Sequence, residues 1–162
     1  MRTPFVVASI VVVAVACGRG AASPAAGECD LKTTGPLVGY SYDVTPQPAA
    51  TGGAIEDGVY DLVKIIDHGK ASGPESSDQA PAFRWALRFM ADDHSPSHVE
   101  GRLLSAIDLP PANGCDDGRF ATVGTELRAV SKKPKIETEP YSATPDGFVV
   151  LSKGTTYVFH RR

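Results

Sequence analysis

Apolar and polar positions alternate most regularly from Phe83 to Phe89. Phe83, Trp85, Leu87 and Phe89 fall on one face and Arg84, Ala86 and Arg88 on the other. A period of two predicts a strand with an apolar inner face and a basic face turned to solvent. The rival is a helix capped by Ser77 or Asp78, with Phe83, Leu87 and Met90 on one stripe; that winding scatters Trp85 and Phe89 off the stripe. Residues 59–66 predict another strand, with Val59, Val63 and Ile65 on one side and Tyr60, Leu62 and Ile66 on the other, after a turn at Asp57-Gly58. Residues 99–107 predict a third, and residues 120–130 either one strand bent at Gly124 or two. Pro134, Pro140, Pro145 and Gly147 punctuate strands at 136–138, 148–151 and 156–160, with a hairpin turn at Lys153-Gly154. Between these, residues 69–82 read as a loop, 92–97 as a polar turn, and 109–118 as a long loop carrying Cys115. Short strands with a turn every dozen residues predict an all-β fold, an antiparallel barrel or sandwich.

The N-terminus follows a different pattern. Residues 5–17 form an apolar run behind Arg2, and residues 6–16 match a secretory h-region but are too short to span a bilayer. Ala14-Val15-Ala16-Cys17 resembles a bacterial lipobox, although the strongest examples carry Leu where Ala14 stands. The resemblance implies cleavage before Cys17, acylation of its thiol with palmitate-type lipid, and a membrane anchor. Gly18, in place of Asp, implies the outer membrane or cell surface. The same Ala-x-Ala pattern also fits a plain secretory signal cut at the same bond, giving a secreted or periplasmic protein, or an uncleaved anchor; all three readings export the chain. Residues 18–53 are rich in Gly, Pro, Ala, Ser and Thr and predict a flexible tether. Within it, residues 37–42 fit a short strand. The expected organisation is a signal peptide at 1–16, a tether at 17–52 and an antiparallel β domain at 53–162.

Charge and cysteine content narrow the classes. The formal charge is −3; loss of Arg2 leaves 15 of the 16 basic residues against 19 acidic ones. That balance argues against a nucleic-acid partner. Lys132-Lys133-Pro134-Lys135 is the one basic cluster and reads as a solvated turn. With Cys17 taken by lipid, Cys29 and Cys115 remain as a pair in an oxidising compartment, and one disulfide is the expectation, two free thiols the alternative. The bridge would close a loop of about 86 residues and contribute about 4–5 kcal/mol in the chain-entropy model.

A second resemblance rests on two patches. Gly53-Ala54-Ile55-Glu56-Asp57-Gly58-Val59-Tyr60-Asp61-Leu62 is similar to the opening strand of a group of small bacterial lipoproteins. Gly124-Thr125-Glu126-Leu127 and Gly154-Thr155-Thr156-Tyr157-Val158-Phe159-His160-Arg161 are similar to their later strands. The resemblance implies a lipocalin-like all-β fold, a small antiparallel meander barrel or half-barrel whose last strand ends in an aromatic and an arginine. It implies no mechanism.

Candidate chemistry is sparse. Asp92, Asp93, His94 and His98 form the one ligand-like cluster, but Pro96 and Ser97 oppose the helix that would put both imidazoles on one face, so a polar hairpin loop is the simpler reading. No nucleophile elbow, phosphate loop or dinucleotide fingerprint appears. Asp116-Asp117 and Glu137 with Glu139 are formal glycosidase pairs, yet exposed strand acids are common. No enzyme and no cofactor is expected. Phe83, Trp85, Phe89, Tyr157 and Phe159 either fill the core or line a cavity for an apolar ligand. The expected role is a cell-envelope lipoprotein acting as a structural or interaction module with an envelope protein partner; the alternative is a barrel that binds a small apolar ligand or lipid.

Overall fold

The computed structural model describes residues 30–69, 81–94, 99–109, 112–131 and 136–162. Cys17, Cys29, Ser77, Asp78, His98 and the 132–135 basic cluster lie outside them. The strands are β1 Tyr40–Tyr42, β2 Gly58–Asp67, β3 Arg84–Ala91, β4 Glu100–Leu109, β5 Ala112–Val123, β6 Glu126–Ser131, β7 Ile136–Thr144, β8 Gly147–Ser152 and β9 Thr155–Arg161. From β2 to β9 each strand pairs antiparallel with the next, and β9 returns to β2. The result is a closed eight-stranded meander barrel, small and lipocalin-like. Closure removes the sheet edges that would otherwise invite pairing with other chains.

The core follows from the alternation. Tyr60, Leu62, Leu87, Phe89, Leu103, Phe120, Leu127, Tyr141, Phe148 and Phe159 point inward and are buried. Phe148 and Phe159 face each other across β8 and β9 and stack, with centroids 4.9 Å apart and planes 8° from parallel. Phe89 packs edge-on against Tyr60, Phe120 and Phe148. Gly147 sits beside this stack because a Cβ there would run into the Phe159 carbonyl.

Local chemistry explains the turns. Lys153 and Gly154 both have positive φ, 47° and 88°, as a two-residue hairpin of the primed type requires. Gly124 turns β5 into β6 with φ 60°, so residues 120–130 are two strands. β3 is the predicted strand, and among the described residues no helix replaces it.

Four expectations are corrected. First, residues 109–118 are not a long loop. β5 begins at Ala112 and continues the ladder with β4, from Leu109↔Ala112 to Glu100↔Ala121, which sets Cys115 opposite Ala106. The strand-poor composition is overridden because β4 offers a long template and strand propensity depends on context. Second, the faces of β2 switch midway. Its pairing to β9 shifts register between Leu62 and Lys64. Val63 is the extra residue of a bulge, so Ile65 joins Tyr60 and Leu62 inside. Third, Pro140 lies within β7 rather than ending a strand. It stands where β7 leaves β6, whose register stops at Glu126↔Pro140, and pairs onward with β8 from Tyr141. Its missing N–H is tolerated at that break.

Fourth, residues 30–52 lie on the barrel, although their composition predicts a flexible tether. Leu31 is buried with Ala86, Leu104 and Ala106 on the outer face of β3 and β4. Arg84 and Arg88 are therefore half-buried clamps and not a bare solvent face: Arg84 Nε donates to the Gly35 carbonyl at 3.1 Å, and Arg88 pairs with Asp30 at 2.9 Å. Val38 exchanges both backbone hydrogen bonds with Phe83, and β1 then runs parallel to β2 at Ile65–Asp67. Further on, Gly52 bonds both Tyr141 and Ala143 of β7, with φ 67° and the Gly124 carbonyl where a Cβ would stand. Ile55 then enters the core, 2% exposed.

A test separates ring packing from surface decoration. Phe89→Ala should lower unfolding stability by about 3–5 kcal/mol in urea titration, because both burial and a cavity are lost. Leu37→Ala, at a side chain 55% exposed, should change it by less than about 0.5 kcal/mol. Equal effects from the two would contradict the placement of Phe89 at the centre.

Candidate functional site

The structure brings all five predicted aromatics into one packed group. Phe89 and Phe159 are fully buried, and Phe83, Trp85 and Tyr157 pack against the same core while half-buried. Trp85 meets Phe159 edge-on at 5.3 Å and Tyr157 at 6.0 Å. Its indole N–H is not orphaned: Nε1 donates to Ser105 Oγ at 2.9 Å. Phe83, Trp85 and Tyr157 mark the end of the barrel where β2 finishes and β3 begins. Tyr40, from β1, packs there too.

Two recesses flank that end, on opposite faces of the β4–β5 hairpin. One, of about 430 Å³, is lined by Ser105, Ile107, Gly114, Cys115 and Asp116. Ser105 ties it to Trp85. The other, of about 590 Å³, lies between residues 31–34 and the hairpin at Ala106, Asp108 and Cys115. Cys115 borders both. It is not a free thiol, and what it is joined to lies outside the described residues.

Burial sets the electrostatics of the tyrosine hydroxyls. Burial first, and the neighbouring Tyr40 second, push the Tyr157 hydroxyl up to about 12. Burial likewise raises Tyr60, whose hydroxyl donates to the Glu56 carbonyl at 2.6 Å. At the chain end, Arg162 grips Asp61 through two nitrogens, at 2.8 and 2.6 Å, and donates to the Lys32 carbonyl at 3.0 Å. The Asp61 partnership holds the Arg162 guanidinium above its ordinary range.

The other candidates are dispersed or engaged. Asp92 pairs with Arg119, while Asp93 and His94 stand exposed in the turn. Among the described residues no three His, Cys, Asp or Glu side chains converge as metal ligands. Asp117 forms a two-point pair with Arg102, and Asp116 Oδ1 accepts from the Asp117 amide. Glu139 accepts from Ser152 Oγ at 3.0 Å. His68 is held between the Thr45 carbonyl, to which Nδ1 donates, and Thr156 Oγ1, both at 2.9 Å. It fastens the N-terminal segment to β9.

The short strand expected within residues 37–42 is β1; what sequence reasoning missed is that the segment around it lies on the barrel. Val38-Gly39-Tyr40 places two apolar side chains two residues apart, a strand signal inside a stretch whose Pro and Gly content reads as linker. No family profile, no curated protein and no solved structure matches the chain. The fold and the site therefore rest on the geometry above.

The raised Tyr157 has a pH consequence. An ordinary tyrosine ionises near pH 10, so between about pH 10 and 12 the unfolded chain has lost a proton that the folded chain retains. The contribution is complete below about pH 10 and is lost as pH rises through 12. Tyr157→Phe should therefore flatten the fall of unfolding midpoint across that window. An unchanged alkaline slope would contradict the half-buried, neutral hydroxyl.

Proposed function

We propose that the chain is an exported cell-envelope lipoprotein whose barrel serves as a non-enzymatic structural or interaction module. The observation that carries this is the interior: Phe89, Phe148 and Phe159 occupy it with their own rings, each 0% exposed. A barrel filled in this way offers recognition through its outside and its ends. The acids nearest to catalytic pairings are tied to arginines or hydroxyls, which supports a reading without a reaction step.

The anchor belongs to the same proposal. Cys17 carries lipid and Cys29 bridges Cys115. The neighbours of Cys29 favour this pairing: Asp30 is fixed to Arg88, and Leu31 borders the same recess as Cys115. Twelve residues lie between Cys17 and Asp30, and the stretch spans at most about 45 Å when extended. The outer face of β3 and β4 would thus be held near the membrane. Mass measurement on the membrane-extracted chain, alkylated under denaturing conditions without reductant, should give an acylated N-terminus at Cys17 and no alkylation at Cys29 or Cys115. An unacylated chain removes the anchor, and alkylated Cys29 and Cys115 remove the bridge.

A second reading, binding of a small apolar ligand or lipid, is favoured by the 430 Å³ recess beside Trp85. Trp85 is the only tryptophan, so its emission reports this end alone. Under the module reading, emission is blue-shifted and unmoved by fatty acids. A saturable change on adding fatty acid would replace the module by the ligand-binding reading.

A further inference from the structure

Between β2 and β3 the barrel wall closes by its own strands over only part of their length. Their register covers only Gly58↔Phe89 to Asp61↔Ala86. Past it, the Val63 bulge bends β2 away, and a seam opens toward the end marked by Trp85. Residues 38–42 fill that seam. Val38 bridges Phe83, β1 bonds the freed edge of β2, and Val38 and Tyr40 insert into the core between Phe83, Trp85 and Tyr157. Ser41, the next residue, donates its hydroxyl to the Ile65 carbonyl at 2.6 Å.

We propose that this seam is a strand-accepting groove for an extended peptide with apolar residues at i and i+2, and that residues 35–45 are its resident, displaceable occupant, leaving Leu31 in place. This rests on the interaction-module reading and names the partner's chemistry. The occupant itself defines the ligand: a strand parallel to β2, with one β-branched and one aromatic side chain inward, held by main-chain bonds. That is recognition by strand addition, in which backbone bonding gives affinity and alternate side-chain seats give specificity.

The occupant's fastenings make it the first part to leave. β1 has three residues. Upstream it is held by Leu31, buried against Ala86, Leu104 and Ala106, and by three side-chain clamps, Arg88 on Asp30, Arg162 on the Lys32 carbonyl and Arg84 on the Gly35 carbonyl; downstream it is held by His68 on the Thr45 carbonyl and Gln47 on the Thr155 carbonyl. Asp30 is 79% exposed, and pairs of that kind contribute little and are screened by salt. The barrel strands, by contrast, are locked by ladders on both sides. Local opening below the cost of global unfolding is expected for such a segment. Gly35 marks the close approach: a Cβ there would lie 2.8 Å from Asp61 Cβ.

The test uses the mature chain and a fluorescent peptide of residues 35–45. Hydrogen exchange on the unaltered chain should release the Val38 and Asp43 amides well before those of β8 and β9. The peptide should bind saturably, about tenfold more tightly to Arg84→Ala/Arg162→Ala, because apparent affinity scales with the open fraction. A peptide carrying Val38→Asp and Tyr40→Asp should not bind. Exchange of Val38 and Asp43 together with the barrel core overturns the displaceable occupant, whatever the variant's folding. Early exchange without peptide binding overturns the groove while leaving the module reading intact, since that reading stands or falls on the Trp85 titration.

Discussion

The bulge at Val63 is the feature on which the rest of the structure depends. One extra residue in β2 changes which side chains face inward and bends the strand out of its pairing with β3. A closed barrel tolerates no unpaired backbone in its wall, because buried amide and carbonyl groups without partners cost about 1–3 kcal/mol each. Some other segment must therefore supply the missing ladder. The chain uses the residues just upstream of its own first barrel strand. A second break, where Pro140 ends the β6–β7 pairing, is filled by the same segment at Gly52. Between them, residues 30–55 serve as the closing element of the wall and as a plug for both ends, with Val38 and Tyr40 at one and Ile55 at the other.

This division of labour accounts for the aromatic content of the core. A small barrel has a narrow interior, and rings fill it with few side chains. Edge-on contacts at 4.9 to 5.8 Å link Phe89 to Tyr60, Phe120 and Phe148. Toward Trp85 the group becomes half-buried and gains polar handles, in Ser105 for the indole and Tyr40 for Tyr157. The gradient from dry centre to hydrogen-bonded end is what distinguishes the site from the core that supports it.

Much of the barrel was legible because its signals are local. The alternation around Trp85, the Lys153-Gly154 turn and the short strands after Pro145 each depend on a few consecutive residues. What was not legible depends on distant ones. The first half of β5 is Gly, Asp and Asn rich and becomes a strand only because β4 stands beside it. Residues 30–52 have linker composition, and their fixation comes from Arg84, 49 residues from Gly35, and Arg162, 130 residues from Lys32. No window of sequence shows such a clamp. At the ligand-like Asp92 cluster, where a polar loop is the simpler reading, the partner of Asp92 is the distant Arg119.

The outer surface bears on what kind of partner suits the barrel. Arg102 and Arg119 stand directly opposite each other on β4 and β5, an arrangement that repels when unaccompanied. Each has a carboxylate at hand, Asp117 for Arg102 and Asp92 for Arg119, and on β6 Arg128 pairs with Glu126. The face across β4 to β6 is thus compensated pair by pair, and salt would weaken it evenly instead of exposing one sign of charge. Such a face provides solubility and little directional pull on a phosphate-rich or strongly charged partner. Selectivity then has to come from groups that act at contact distance. The half-buried rings where the N-terminal segment meets the barrel are described features of that kind, and β1 covers the backbone edge of β2 beside them.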